Sequence, residues 1–197
     1  MPVNKVRKLN LLLLFVATGM LVCPGCGKNS GGNDLHVKST AAGEKDIATK
    51  SAFADPVTKT FTDTSGKMTT AVVYNVHAAN YDLNGERFGA SLNNPMPGDD
   101  SIRVMFSLVG EEGTKDNSPL KTGTYSAKAD KYMKVETVGI VTRKNGTEIK
   151  TWFDRSTLNG QVNVTSATAD SASGDIDVTA GDSTIKGSFT AKILKRK

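Results

Sequence analysis

The sequence predicts an all-β fold: a single antiparallel β-sandwich or barrel-like domain of about eight or nine short strands. Three observations predict it. Apolar residues recur with a period of two rather than 3.6, most plainly in "TIKGSFTAKI", where Ile185, Phe189, Ala191 and Ile193 share one face. Thr184, Lys186, Ser188, Thr190 and Lys192 occupy the other. Such segments are separated by stretches rich in turn formers, such as "ATADSASG" and "AGDS". Finally, Asn145-Gly146, between "VGIVT" and "EIKTWF", is the strongest short hairpin signal in the chain. The roughly 140 residues from 56 to 197 suffice for one core and argue against two domains.

In chain order, residues 1–25 come first. Lys5, Arg7 and Lys8 form a positive segment with no acidic neighbour, and a 12-residue apolar run follows, Leu11 to Val22, "LLLLFVATGMLV". A spanning helix needs roughly 20 apolar residues. The run is therefore read as the core of a secretory signal peptide, to be set aside before fold reasoning. No other run approaches that length, so no spanning helix is expected in an exported mature protein.

The next stretch, "LVCPGCGKNSGG", holds the two cysteines of the chain, Cys23 and Cys26. A thioredoxin-type redox pair needs a βαβ setting, which nothing around Cys23 offers. A zinc half-site needs a second pair of ligands, and the mature chain supplies only His36 and His77. The segment resembles a bacterial lipoprotein signal, in which a small residue precedes a cysteine that is diacylglycerated and becomes the new N-terminus. Gly25-Cys26 matches at those two positions; Cys23 and Pro24 stand where the family has Leu and Ala or Ser. The resemblance covers residues 1–26 and implies lipidation at Cys26, with Cys23, preceded by Val22, as the alternative. It implies a membrane partner through the lipid anchor and a place at the cell envelope. Gly27, rather than Asp, after the cysteine points to the outer membrane where the source has one. Two or more acyl chains anchor a protein stably, at about 0.8 kcal/mol per buried CH₂.

Processing corrects the charge. The chain carries 25 basic and 20 acidic residues; without Lys5, Arg7 and Lys8 the mature form has 22 against 20. Four of those bases, Lys192, Lys195, Arg196 and Lys197, lie in the last six residues. The body of the domain is about neutral, so the basic pI is no argument for nucleic acid and no nucleic-acid partner is expected.

Residues 26–55 read as the lipidated N-terminus and a flexible linker. "KSTAAGEKDIATKSAFADP" lacks a sustained apolar stripe and has Phe53 as its one aromatic. A coil of about 30 residues would span about 30 Å, and His36 would be an exposed linker histidine. The domain, 56–197, then opens with "TTAVVYNVHA", which places Val72, Tyr74 and Val76 on one side. A short helix is conceivable over Tyr81–Leu92, where the pattern is poor. "SIRVMFSLVG" sets Ile102, Val104, Phe106 and Leu108 against Arg103, Met105 and Ser107. "GTYSAK" and "YMKVETVGIVT" follow, and "EIKTWF" returns to pair with "VGIVT". The last 40 or so residues, "GQVNVTS", "GDIDVTA" and "TIKGSFTAKI", form a three-stranded meander, with Gly187 marking a bulge or a close backbone approach.

The search for chemistry returns little. Cysteine catalysis is excluded once Cys26 is the anchor. A Ser–His–acid triad would have to use His77, which lies within a strand, and no G-x-S-x-G elbow occurs. Paired carboxylates for glycoside hydrolysis, such as Glu111-Glu112, fall in a turn-like stretch. For calcium, Asn93, Asn94, Asp99 and Asp100 share a loop, and Asp170, Asp175, Asp177 and Asp182 punctuate the meander. Neither group fits a D-x-[DN]-x-[DN]-G loop, and turn chemistry accounts for them. No cofactor or metal is expected. Aromatics give the best binding hint: Trp152 and Phe153 point to opposite faces of a strand. In one reading, with Trp152 and Tyr132 as the candidates, one of the pair is exposed beside Tyr132 or Tyr125 and stacks on a sugar or a partner, an envelope glycan or protein. In the favoured reading one packs in the core and the other covers a sheet end or second layer. The expected function is a lipid-anchored, non-catalytic β-domain with a binding or structural role. The alternatives are an envelope hydrolase using paired carboxylates on polysaccharide, and a freely secreted β-domain.

Overall fold

A computed structural model describes residues 33–84 and 95–195. Eleven strands are present: β1 (Asp34–Ser39), β2 (Gly43–Ala48), β3 (Ser51–Thr62), β4 (Met68–Ala79), β5 (Ile102–Val109), β6 (Gly123–Ser126), β7 (Lys134–Lys144), β8 (Thr147–Trp152), β9 (Asn159–Ala167), β10 (Ser171–Ala180) and β11 (Ser183–Ile193). The fold is all-β, and eight strands close a barrel in the order β3-β4-β5-β7-β6-β9-β10-β11 and back to β3. Of the two architectures the periodicity allows, the barrel is the one formed.

Most of the wall is antiparallel, but the two joints that close it are short and parallel. β6 meets β7 at Ser126↔Lys134, and β11 meets β3 at Lys192↔Phe53 and Ile193↔Ala54. Each joint is brief because a hairpin claims the rest of the edge. β8 pairs with Gly139–Lys144 of β7, and β1 pairs with Thr184–Gly187 of β11, with β2 beyond it.

Alternation of side chains across the wall builds the core. Val72, Tyr74 and Val76 of β4, Val104, Phe106 and Leu108 of β5, Val138 and Ile140 of β7, and Ile185 and Phe189 of β11 all belong to one buried cluster. Phe106 and Phe189, on strands that are not neighbours, meet edge to face at 5.1 Å between centroids. Tyr74 and Tyr125 are also interior, and their hydroxyls donate to the backbone carbonyls of Ser118 (2.6 Å) and Lys121 (2.9 Å) in the β5–β6 loop. Burial pushes both phenols up, most strongly Tyr125. Tyr125 is therefore a core residue rather than an exposed stacking partner.

The linker expectation extends too far. Residues 34–55 form β1, β2 and the start of β3, and Leu35, Val37, Ala42 and Ile47 enter the main core. The pattern there is too brief to reveal itself, and the strands exist because β11 offers a partner. His36 lies on β1, where its Nδ1 is 2.7 Å from the Asp46 carboxylate across the hairpin. The close approach expected at Gly187 is present: at φ 133° its Cα faces β1, and a Cβ would lie 2.2 Å from the Asp34 carbonyl oxygen. Gly160 on β9 plays the same part against Asp177 of β10, at 2.1 Å.

The predicted meander is β9-β10-β11, and the hairpin at Asn145-Gly146 joins β7 to β8 through two residues with positive φ, 52° and 77°. Both signs fit a type I′ turn. Tyr81 to Asn84 are not helical; the remainder of the Tyr81–Leu92 helix expectation lies outside the described residues.

Because Phe106 ties β5 to β11 through the interior, Phe106→Ala should cost about 3–5 kcal/mol. Urea unfolding followed by far-ultraviolet circular dichroism measures this; a loss below about 1 kcal/mol would mean that the interior is loosely packed.

Candidate ligand-contact face

The outward positions of β3, β4, β5 and β7 alternate with the core positions, and the strand register arranges them in rows. One row runs Phe53–His77–Met105–Gly139–Trp152 across β3, β4, β5, β7 and β8. On one side of it lies Asp55–Asn75–Ser107–Thr137. On the other lies Ser51–Ala79–Arg103–Val141–Lys150.

This outer face is not an ordinary solvated surface. Asp55 is 4% exposed and Arg103 1% exposed, although both face away from the barrel interior. Part of the cover comes from a second apolar cluster of Ala79, Tyr81, Leu83, Met96 and Val141, with Phe53 and Met105 packed against it. Ser51 fixes the segment after β4: its hydroxyl donates to the Tyr81 carbonyl and accepts from the Leu83 amide, both at 2.8 Å. Arg143 donates to the Met96 carbonyl and holds that residue over the sheet.

The polar row is knitted across strands. The Ser107 hydroxyl donates to Asn75 Oδ1 at 2.8 Å and lies 2.6 Å from Thr137 Oγ1. It is thereby committed to amide and hydroxyl partners and does not form a nucleophile–base pair with His77. His77 is mostly buried, and its Nδ1 has no hydrogen-bond partner among the described residues. Burial, aided by the positive charge of Arg103, lowers its pKa from 6.5 to about 4. The imidazole is therefore neutral at pH 7.

At the end of its row Trp152 is 58% exposed, while the adjacent Phe153 is buried in the core. The ring lies over Gly139, where any Cβ would come within 2.7 Å of it, so the missing side chain forms the shelf for the indole. Tyr132 does not join it. Its ring meets Phe61 edge to face at 5.6 Å, and its hydroxyl lies 2.6 Å from that of Thr69. Thr69 is eight positions from His77 along β4, about 26 Å at the strand rise.

The other candidates scatter. Cys23, Cys26, Asn93 and Asn94 lie outside the described residues. Asp99 accepts from the amides of Asn145 and Gly146 and so fixes the β7–β8 turn, and those bonds lower its pKa. Asp170 pairs with Lys195 at 2.6 Å, Asp177 with Lys186 at 3.2 Å, and Glu111 with Lys121. Asp175 lies on the exposed face of β10. Among the described residues no three His, Cys, Asp or Glu side chains are grouped to hold a metal ion. A cavity of about 580 Å³ opens beside the β11–β3 joint between Pro56, Tyr74, Pro119 and Ile193, and Asp116 is the one carboxylate that lines it.

The sign of the pH dependence at His77 follows from its lowered pKa. The unfolded chain takes up a proton near pH 6.5, whereas the folded chain resists until about pH 4. Stability is thus full above pH 6.5 and declines as pH falls toward 4, by about 3 kcal/mol. Urea unfolding at stepped pH should show this decline in the wild type and a flatter profile in His77→Gln; equal slopes would place His77 in water. Comparison with protein families, with curated proteins and with solved structures finds no match for this chain.

Proposed function

We propose that this chain is a lipid-anchored protein of the cell envelope whose barrel is a non-catalytic binding domain. Its contact surface is the outer face of β3-β4-β5-β7, ending at Trp152. The observation that carries this reading is the packed interior. Phe106, Phe189, Tyr74 and Tyr125 fill the space that wider barrels leave for a ligand or channel, so a partner meets the domain from outside. There Trp152 offers an exposed, amphipathic ring on a rigid shelf, suited to stacking on a glycan ring or packing on a protein side chain. Beneath that face His77 is mostly buried and neutral, and the Asn75–Ser107–Thr137 row is knitted by its own hydrogen bonds, so Trp152 is the group that would meet a partner first.

Asp63, Asp99, Asp154 and Asp170 are each held below the usual carboxylate range, chiefly by local hydrogen bonds, and so are fitted to fix turns rather than to act as the acid of a glycosidase. Lipidation at Cys26 places such a domain on a membrane surface, and Gly27 directs it to the outer membrane of a two-membrane source.

Intact mass of the protein purified from membranes tests the anchor. The expected mass is that of residues 26–197 plus two or three acyl chains, with both the added mass and the membrane partitioning lost in Cys26→Ser. An unmodified mass in the soluble fraction would make this a freely secreted domain. For the contact face, titration with soluble envelope glycan should shift the emission of Trp152, the sole tryptophan, to the blue; Trp152→Ala should lower glycan retention about tenfold. Unchanged retention would remove this face from glycan binding.

A further inference from the structure

We propose that β8 is a self-association edge. Two copies of this chain pair their β8 strands antiparallel about a two-fold axis through Ile149, so that the two outer faces run on as one surface. The inference rests on the geometry of β8 and does not need the lipid anchor.

β8 pairs with β7 and with no other strand among the described residues, which leaves one edge of its backbone unpaired. It also carries two of the three large apolar side chains exposed among the described residues, Ile149 at 36% and Trp152 at 58%. The terminal strand at the opposite end of the sheet, β2, differs. It presents Glu44, Lys45 and Asp46 and buries its one large apolar residue, Ile47, a pattern that discourages pairing. An open edge with apolar side chains on both of its faces is the usual template for strand addition.

The register follows from which groups point outward. The Phe153 amide donates to the Val138 carbonyl at 2.9 Å, so its backbone faces β7. Backbone direction alternates along a strand. Thr147, Ile149 and Thr151 therefore also face β7, while the amides and carbonyls of Glu148, Lys150 and Trp152 face away. Only these even-numbered residues can form hydrogen-bonded pairs with a second β8.

Among the registers that obey this rule, one sets Glu148 opposite Lys150 of the second copy and Lys150 opposite its Glu148. It stacks Ile149 on Ile149 at the axis, pairs Thr147 with Thr151, and places Trp152 opposite Gly146, where no side chain competes. A slip by two residues in either direction puts Glu148 opposite Glu148 or Lys150 opposite Lys150, and like charges directly opposite are unfavourable. Glu148 and Lys150 lie on the outer face with Trp152, so both ion pairs would form at the surface. The Glu148 carboxylate, which also accepts from the Met96 amide at 3.3 Å, is held near the position the pair requires. The occupant is thus specified by the charge sequence of the strand: a second copy matches it residue for residue.

Disulfide trapping in the full chain gives the sharpest test. Ile149 on Ile149 is a non-hydrogen-bonded pair with Cα atoms about 4.5 Å apart, within disulfide reach. Ile149→Cys should cross-link to a dimer under mild oxidation, beyond the background that Cys23 and Cys26 give in the wild type. Thr147→Cys, about 13 Å from its own equivalent, should not. Lys150→Glu should weaken the dimer about tenfold in sedimentation, and the exchanged double variant Glu148→Lys with Lys150→Glu should restore it. An Ile149→Cys chain that stays monomeric, equal trapping of both cysteine variants, or a double variant as weak as Lys150→Glu would each overturn the proposal.

Discussion

Everything in this molecule depends on closing an eight-stranded wall through two joints that are almost too short to hold. β6 and β7 share one paired position and β11 and β3 share two, all parallel, while the neighbouring antiparallel ladders run the length of their strands. So few ladder bonds cannot carry closure, given a net value of about 0.5–1.5 kcal/mol each. The interior must supply the rest. Phe106 and Phe189 meet across it, and Tyr74 and Tyr125 reach the backbone of the loop that folds over one end. Gly160 contributes by what it lacks, since a Cβ there would strike the backbone of β10, and Gly187 does the same for the β1 strand that packs on β11 outside the wall.

The same closure moves chemistry to the outside. Once the interior is packed, the groups that can meet a partner are those on the outer wall, and among the described residues part of the β3-β4-β5-β7 face carries a second apolar layer that shelters them. Tyr81, Leu83 and Met96 cover part of that face, giving an environment in which His77 stays neutral and Arg103 is buried. Trp152 marks where the cover ends. The hairpin that places it also leaves the outer edge of β8 unpaired among the described residues, so the proposed contact face and the sheet edge arise from one Asn145-Gly146 turn.

Much of this was legible in the residues. Alternation in β4, β5 and β11 identified the core faces, because a one-residue slip would turn every core side chain to the opposite face. The Asn-Gly turn gave the β7–β8 pairing, and Gly187 gave a close approach. Two features were not legible. β1 and β2 carry only Leu35, Val37 and Ile47 as large apolar residues, too short a pattern to stand apart from a linker, and their stability comes from β11, distant in sequence. The burial of Arg103, opposite the core face of β5, was the other. The apolar residues packed over that face, Tyr81, Leu83 and Met96, lie between β4 and β5 in a stretch without periodicity. A charged residue among alternating apolar ones signals only which way it points. Whether that side is wet depends on what packs there.

Native-state hydrogen exchange, resolved by residue, tests the closed barrel most directly. A single closed wall predicts that the slowest amides of β4, β5, β10 and β11 share one opening free energy, equal to that of global unfolding. Two distinct free energies, one for β3-β4-β5-β7 and another for β6-β9-β10-β11, would show that the half-sheets open independently, and the barrel would not be the unit that holds the outer face in place.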